Sequence, residues 1–206
     1  MTTDEQCHWT DVHQTTKANA VSWYQAEPRL SLDLIKKAMP DRAAAILDVG
    51  GGASVLVDRL LDAGYGDISV LDIAAPALSQ AKARLGDRAV LVDWYVADVT
   101  KFAPTRQYDL WHDRAVFHFL TEATAQQRYV ARLKAALRPG GALLIATFTV
   151  GGPEKCSGLD IVQYDTARML TVLGPDFQLC EEHSENHETP WGSVQKFSYF
   201  LFRYQP

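Results

Sequence analysis

The chain is 206 residues long, enough for one α/β domain whose core needs neither metal nor disulfides. Hydrophobic residues make up 47% and charged residues 22%, the usage of a folded globular protein. A net charge of -5, without any lysine–arginine run, argues against a nucleic-acid partner, which would require a clustered basic face.

The chain opens on Met1-Thr2-Thr3-Asp4-Glu5-Gln6, acidic and polar, with no apolar stretch behind it, so no secretory signal is expected. About forty residues then precede the first strand, with a Trp23-Tyr24 segment and a helix expected from Pro28 to Met39. Ala44 to Val49 is an apolar strand ended by three glycines, and Val55 to Leu61 has helical spacing up to Gly64. A second strand runs from Ile68 to Ile73. A helix follows from Ala74 to Leu85, with Pro76 in its first turn and Gly86 at its end. Val90 to Val99 reads as a third strand and Tyr108 to His112 as a fourth. Thr121 to Leu137 reads as an amphipathic helix, closed by Arg138-Pro139-Gly140-Gly141, and Ala142 to Phe148 as a fifth strand. Apolar strands alternating with helices imply a parallel sheet covered on both faces. Phe177 to His183 and Phe197 to Tyr204 follow one another with no helix between them, which predicts an antiparallel hairpin. No apolar run is long enough to span a membrane. Cys7, Cys156 and Cys180 are odd in number and widely spaced, against a disulfide framework or thiolate zinc site. A cytoplasmic protein is expected.

Four acids follow the first four strands: Asp48, Asp72, Asp98 and Asp113. All fall at the carboxyl edge of the sheet, where open α/β sheets bind ligands. Gly50-Gly51-Gly52 lets backbone approach a ligand closely and offers free amides. Val55 stands where a dinucleotide fingerprint starting at Gly50 needs its third glycine, so that fingerprint fails. Asp72, about twenty residues beyond Gly52, is placed to accept ribose hydroxyls, and Asp98 to accept an adenine amino group. Each acid alone could equally cap a turn or helix. Together they read as an adenosine-ligand site.

Ile46-Leu47-Asp48-Val49-Gly50-Gly51-Gly52, Val70-Leu71-Asp72-Ile73, Val96-Ala97-Asp98-Val99 and Leu137-Arg138-Pro139-Gly140-Gly141 resemble, in order, the signature segments of class I S-adenosylmethionine-dependent methyltransferases. The resemblance covers residues 43–148, and the terminal hairpin is similar to the family's antiparallel closing strands. It implies a Rossmann-like fold: a mostly parallel seven-stranded sheet, helices on both faces and a C-terminal antiparallel hairpin. One methyltransferase domain over 1–206 is expected, with an N-terminal helical lid (1–42), a cofactor core (43–148) and a substrate loop with closing hairpin (149–206). It further implies S-adenosylmethionine as cofactor and S-adenosylhomocysteine as product. Gly50 and Gly52 would approach the methionine part, Asp72 and Ile73 the ribose, and Asp98 and Val99 the adenine. Asp48 and Asp113 would complete the cofactor site. The sequence departs from the pattern at Ala53-Ser54, where a Gly or Asn often follows.

Methyl transfer asks the protein to align an acceptor and remove its proton. The stretch after the fourth strand offers His118 and Asp113 as candidate catalytic residues, and Arg114 and Phe117 as acceptor contacts. His118 could instead cap the following loop, His112 could be a satisfied core residue, and Arg114 could pair structurally with Asp113 or Glu122. Trp23 and Tyr24 could form an aromatic lid over the sulfonium, or simply pack the N-terminal helix. Cys156 lies in a glycine-rich loop expected beside the site, as a substrate contact or an inert thiol. His183 and His187 read as a solvated hairpin edge, and no metal is expected. The expected activity is methylation of a small-molecule acceptor of thiol or related soft-nucleophile type. The alternatives are methylation of a protein lysine and a non-catalytic S-adenosylmethionine-binding regulatory module.

Overall fold

Strands β1 (Ile46–Val49) and β2 (Ile68–Asp72) are buried along their whole length, as the centre of a sheet covered on both faces requires. They belong to a seven-stranded sheet in the computed structural model, which describes residues 3–206. β3 (Val92–Val96), β4 (Tyr108–Arg114) and β5 (Leu137–Phe148) complete its parallel part. Two short strands, β6 (Lys155–Cys156) and β7 (Leu159–Asp160), form a separate two-stranded flap. β8 (Phe177–Glu188) and β9 (Val194–Tyr204) close the large sheet antiparallel, in the order β3-β2-β1-β4-β5-β9-β8.

Helices cover both faces. On one side α2 (Arg29–Ala38), α3 (Leu56–Asp62) and α4 (Ala75–Leu85) bury Leu34, Ile35, Leu56, Leu60 and Leu78 against alternate strand residues. On the other, α5 (Ala123–Ala136) and α6 (Thr166–Leu173) bury Tyr129, Leu133, Met169 and Leu173. The seven strands and the closing hairpin agree with the expected fold.

The element bounds differ in instructive ways. The third strand is only Val92–Val96, because Gly86–Leu91 winds into a 3-10 helix and leaves Val90 and Leu91 exposed. Apolar identity alone does not make an edge segment extended. The fifth strand begins earlier than expected, at Leu137, and runs through Arg138-Pro139-Gly140-Gly141. Two helices were invisible to periodicity: α1 (Thr3–Thr15) and α6. Of α1's side chains, Trp9 and His13 are its buried ones among those described, too few to make a stripe. No helix among the described residues is long and apolar enough to cross a membrane.

α1 lies over the carboxyl edge of the sheet. Gln80 of α4 donates to the His13 carbonyl at 2.6 Å, and Trp9 meets Trp23 and Phe119 edge-on, at 5.6 and 5.0 Å between centroids. The helix therefore roofs the crevice where β1, β2 and β4 end.

Candidate active site

The turn after β1 is shaped by its glycines. Gly50 has φ +68°, and a Cβ there would run into Val116. Gly52 has φ +31°, and its Cβ would lie 2.5 Å from Asp72 Oδ2. Only glycine lets this backbone pass so close to the carboxylate that ends β2.

Around this turn lies a two-lobed cleft, each lobe enclosing about 630 Å³, including space open to solvent. The waist shared by both lobes is formed by His13, Trp23, Val49, Gly50, Asp72 and Arg114. The apolar lobe adds Ile73, Ala97, Val99, Val116, Phe119 and Cys156. The polar lobe adds Tyr24, Ser31, Asp48, Gly52 and His112. An adenine-like group suits the first, and a zwitterionic tail the second.

Asp72 Oδ1 accepts the Ala74 amide at 2.8 Å, closing a turn just ahead of α4 and leaving Oδ2 beside Gly52. Burial, reinforced by nearby Asp48, pushes its carboxyl up to about 7. At the floor of the polar lobe Asp48 Oδ1 accepts from His112 Nδ1 at 2.7 Å. Its Nε2 shares a hydrogen bond with the Ser31 hydroxyl at 2.9 Å. His112 is thus a satisfied buried residue, and its chain ties β1, β4 and α2 together. Asp48 Oδ2 is buried without a hydrogen-bond partner in the protein.

The segment Val21–Gln25 is strapped across the waist. Arg114 donates to the Trp23 carbonyl at 2.9 Å, His187 Nε2 donates to the Ser22 carbonyl at 2.7 Å, and Gln25 donates to Glu185 at 3.0 Å. His187 is therefore a buried strut and departs from the solvated edge expected for it; His183 is half-buried and paired with Glu181 at 2.9 Å. No cluster able to hold a metal occurs among the described residues. Arg114 also donates to Tyr199 at 2.8 Å and lies 3.6 Å from Glu185. Burial pushes the Cys156 thiol up to about 11, so it stays protonated at neutral pH.

The structure gathers Trp23, Tyr24, Asp48, Gly50, Gly52, Asp72, Ile73, Val99, Arg114 and Cys156 around one cleft. It does not bring four other expected residues to the lining. Asp98 folds back on its own turn, accepting the Thr100 amide at 2.8 Å and its hydroxyl at 2.7 Å. Asp113 is fully buried, accepting the Tyr129 hydroxyl at 2.6 Å and the Val116 and Phe117 amides. It shapes the turn that carries Arg114. Phe117 packs between Tyr129 and Tyr164. His118 is sealed between Phe119 and Phe148, with neither ring nitrogen hydrogen-bonded, and burial drives it down to about 3. Position after the strand does not fix direction; the turn does, and this turn aims His118 into the core. Sequence reasoning missed Trp9, His13 and Phe119 in the roof. A tryptophan and a histidine four apart on an otherwise polar helix were the available signal.

Residues 46–141 match the family profile of a methyltransferase domain. That match takes in β1 to the start of β5, a little under half of the chain. It is 28% identical over 142 residues to malonyl-(acyl-carrier protein) O-methyltransferase 2 of Ilyobacter polytropus, covering 68% of this chain and 48% of that one. The chain spans 48% of that protein's length, and 38% and 37% of two other malonyl-(acyl-carrier protein) O-methyltransferases to which it is similar. The fold is similar to that of the protein described for conversion of a disulfide bond into a thioacetal group during echinomycin biosynthesis, with a TM-score of 0.78 at 16% identity, over 98% of this chain and 93% of that one. It is also similar to the N-methyltransferase NodS of Bradyrhizobium japonicum in complex with S-adenosylhomocysteine, with a TM-score of 0.73 at 16% identity, over 98% and 99%. At these identities the likeness is one of fold.

Proposed function

We propose that the chain is a cytoplasmic S-adenosylmethionine-dependent methyltransferase acting on a small, anionic or acidic nucleophile of thiol type. The observation that carries this reading is the waist, where the glycine turn, Asp72 and the buried guanidinium of Arg114 face one space under an aromatic roof. Two features fit the cofactor: a glycine turn whose backbone lines the cleft, and the orphaned Asp48 Oδ2, which suits an ammonium group. Gly50 to Ala53 would hold the methionine part, Asp72 the ribose, and Ile73, Ala97 and Val99 the adenine. S-adenosylmethionine supplies a methyl group already activated by the sulfonium.

The protein's share is to orient the acceptor and exclude water. Trp9, Trp23 and Phe119 provide the dry wall. Arg114 provides a fixed positive charge, which draws in an anion and disfavours the ammonium of a lysine. Its nearest acid, Glu185, is already engaged by Tyr199 at 2.9 Å and by Gln25. A sulfur-handling fold neighbour supports the thiol class, and the three cysteines, all unpaired, support a reducing compartment. Calorimetric titration should show S-adenosylhomocysteine binding and no NAD binding. Incubation with S-adenosylmethionine and a panel of thiols, phenols, carboxylates and amines should release S-adenosylhomocysteine with the thiols. NAD binding without S-adenosylhomocysteine binding would overturn the family role, and turnover of amines alone would overturn the acceptor.

A further inference from the structure

The roof carries a histidine for which the fold has no evident structural use. His13 sits in the last turn of α1 and is 8% exposed, and it lines both lobes of the cleft at their waist. Its ring meets Trp23 at 6.3 Å between centroids, and its backbone carbonyl is fixed by Gln80. Nδ1 is closed off from solvent without a hydrogen-bond partner. Nε2 is not closed off in this way, and His13 borders the cleft at its waist as well as an outer groove between α1 and α4. Burial lowers its pKa, so the ring is neutral at neutral pH, with a lone pair free to take a proton. The charged and titratable groups around the same space are Asp72 from the end of β2, Arg114 from the end of β4, Asp48 and His112 from the polar lobe, and Cys156 from β6. A buried, unpartnered imidazole at the junction of the two lobes is the arrangement of a general base.

We infer that His13, presented by the lid helix, accepts the proton of the acceptor. This rests on the reading under Proposed function. The acceptor's S–H bond breaks and its proton passes to Nε2. The sulfur's electron pair forms the new bond to the methyl carbon, while the pair of the broken C–S bond stays on the sulfur of S-adenosylhomocysteine. The imidazolium is then balanced by Asp72 and returns its proton to water once the lid opens. Because the base sits on the lid, proton removal is coupled to closure of α1 over the cleft.

Two thiol probes separate a base from a wall. An alkyl thiol such as benzyl mercaptan is protonated near neutral pH, whereas an acidic aryl thiol such as 4-nitrothiophenol is already ionised. His13→Gln should lower kcat for benzyl mercaptan by about a hundredfold and change it little for 4-nitrothiophenol. Equal losses on both probes would make His13 a packing residue and overturn the inference. A second readout needs no turnover: the His13 imidazole signals, assigned by their loss in His13→Gln, should shift in nuclear magnetic resonance spectra when S-adenosylhomocysteine is added. A His13 ring that ignores S-adenosylhomocysteine overturns the inference even if neither thiol is a substrate. Failure of both thiols with a responsive His13 ring would instead reject the thiol acceptor and leave the base supported. Loss of S-adenosylhomocysteine binding in His13→Gln would reassign His13 to holding the cofactor.

Discussion

A carboxylate at the end of a buried strand has its two oxygens in different surroundings. Asp72 closes a turn on the Ala74 amide through one oxygen and presents the other beside Gly52. Its carboxyl is pushed up to about 7 because it is buried close to Asp48. A ligand that donates two hydroxyls to the ionised form favours loss of that proton. S-adenosylhomocysteine affinity should therefore rise as pH rises from about 6 to 8 and then level off. Asp72→Ala should bind at least about tenfold more weakly, the value of one lost charge-assisted hydrogen bond, and should lose the pH dependence. Calorimetry at a series of pH values measures both. A flat profile in the unsubstituted protein would mean that Asp72 does not face the ligand. Asp72 was legible in the sequence because strand direction alone delivers it to the sheet edge. Asp98 and His118 were not, since each lies in a turn whose backbone decides where the side chain points. Thr100 draws Asp98 back, and the short 3-10 turn over Phe117–Phe119 carries His118 inward.

Among the elements, those carrying continuous apolar runs were legible: β1, β2, β4, β5 and the closing hairpin owe their positions to burial on two faces. The roof was not, because α1 and the Val21–Gln25 strap gain their places from a few long-range contacts that leave no period in the sequence. That makes the strap a fair test of how the roof is held. His187 supplies the hydrogen bond to the Ser22 carbonyl from β8, far along the chain. His187→Ala would leave that carbonyl without its partner, at a cost of about 1–3 kcal/mol if it stays buried. The segment has a cheaper escape, which is to lift away from the hairpin. Hydrogen exchange should therefore quicken locally at residues 21–25, and S-adenosylhomocysteine affinity should fall severalfold, while the sheet core keeps its protection. Unchanged exchange in the strap would show that Arg114 and Gln25 hold it without His187.

For the whole molecule, the arrangement of ionisable groups inside the core sets how stability responds to pH. His118 is fully buried with both ring nitrogens unpaired, and burial together with nearby Arg114 drives its pKa from 6.5 to about 3. In the unfolded chain the same ring takes a proton below about pH 6.5. Over the interval between those two values the unfolded state binds one more proton than the native state, so this residue removes stability as pH falls. The slope is about 1.4 kcal/mol per pH unit. Asp72 and Asp113, raised to about 7 and about 6, act in the opposite sense, because the native state holds their protons while the unfolded chain has released them. The contributions of these three groups oppose one another, so His118 is best exposed by difference. His118→Phe keeps a ring between Phe119 and Phe148 and deletes two unsatisfied nitrogens, whose burial costs about 1–3 kcal/mol against a smaller overpacking penalty. At pH 7.5 the variant should be at least as stable as the parent in urea melts. Below about pH 6.5 its advantage should widen at close to the slope above, since the carboxylate contributions are common to both proteins and cancel. Methyl transfer should persist in the variant, because a ring sealed in the core takes no proton from an acceptor. A gap that stays constant with pH would show that His118 is not held neutral, and a hundredfold loss of turnover would return it to the active site.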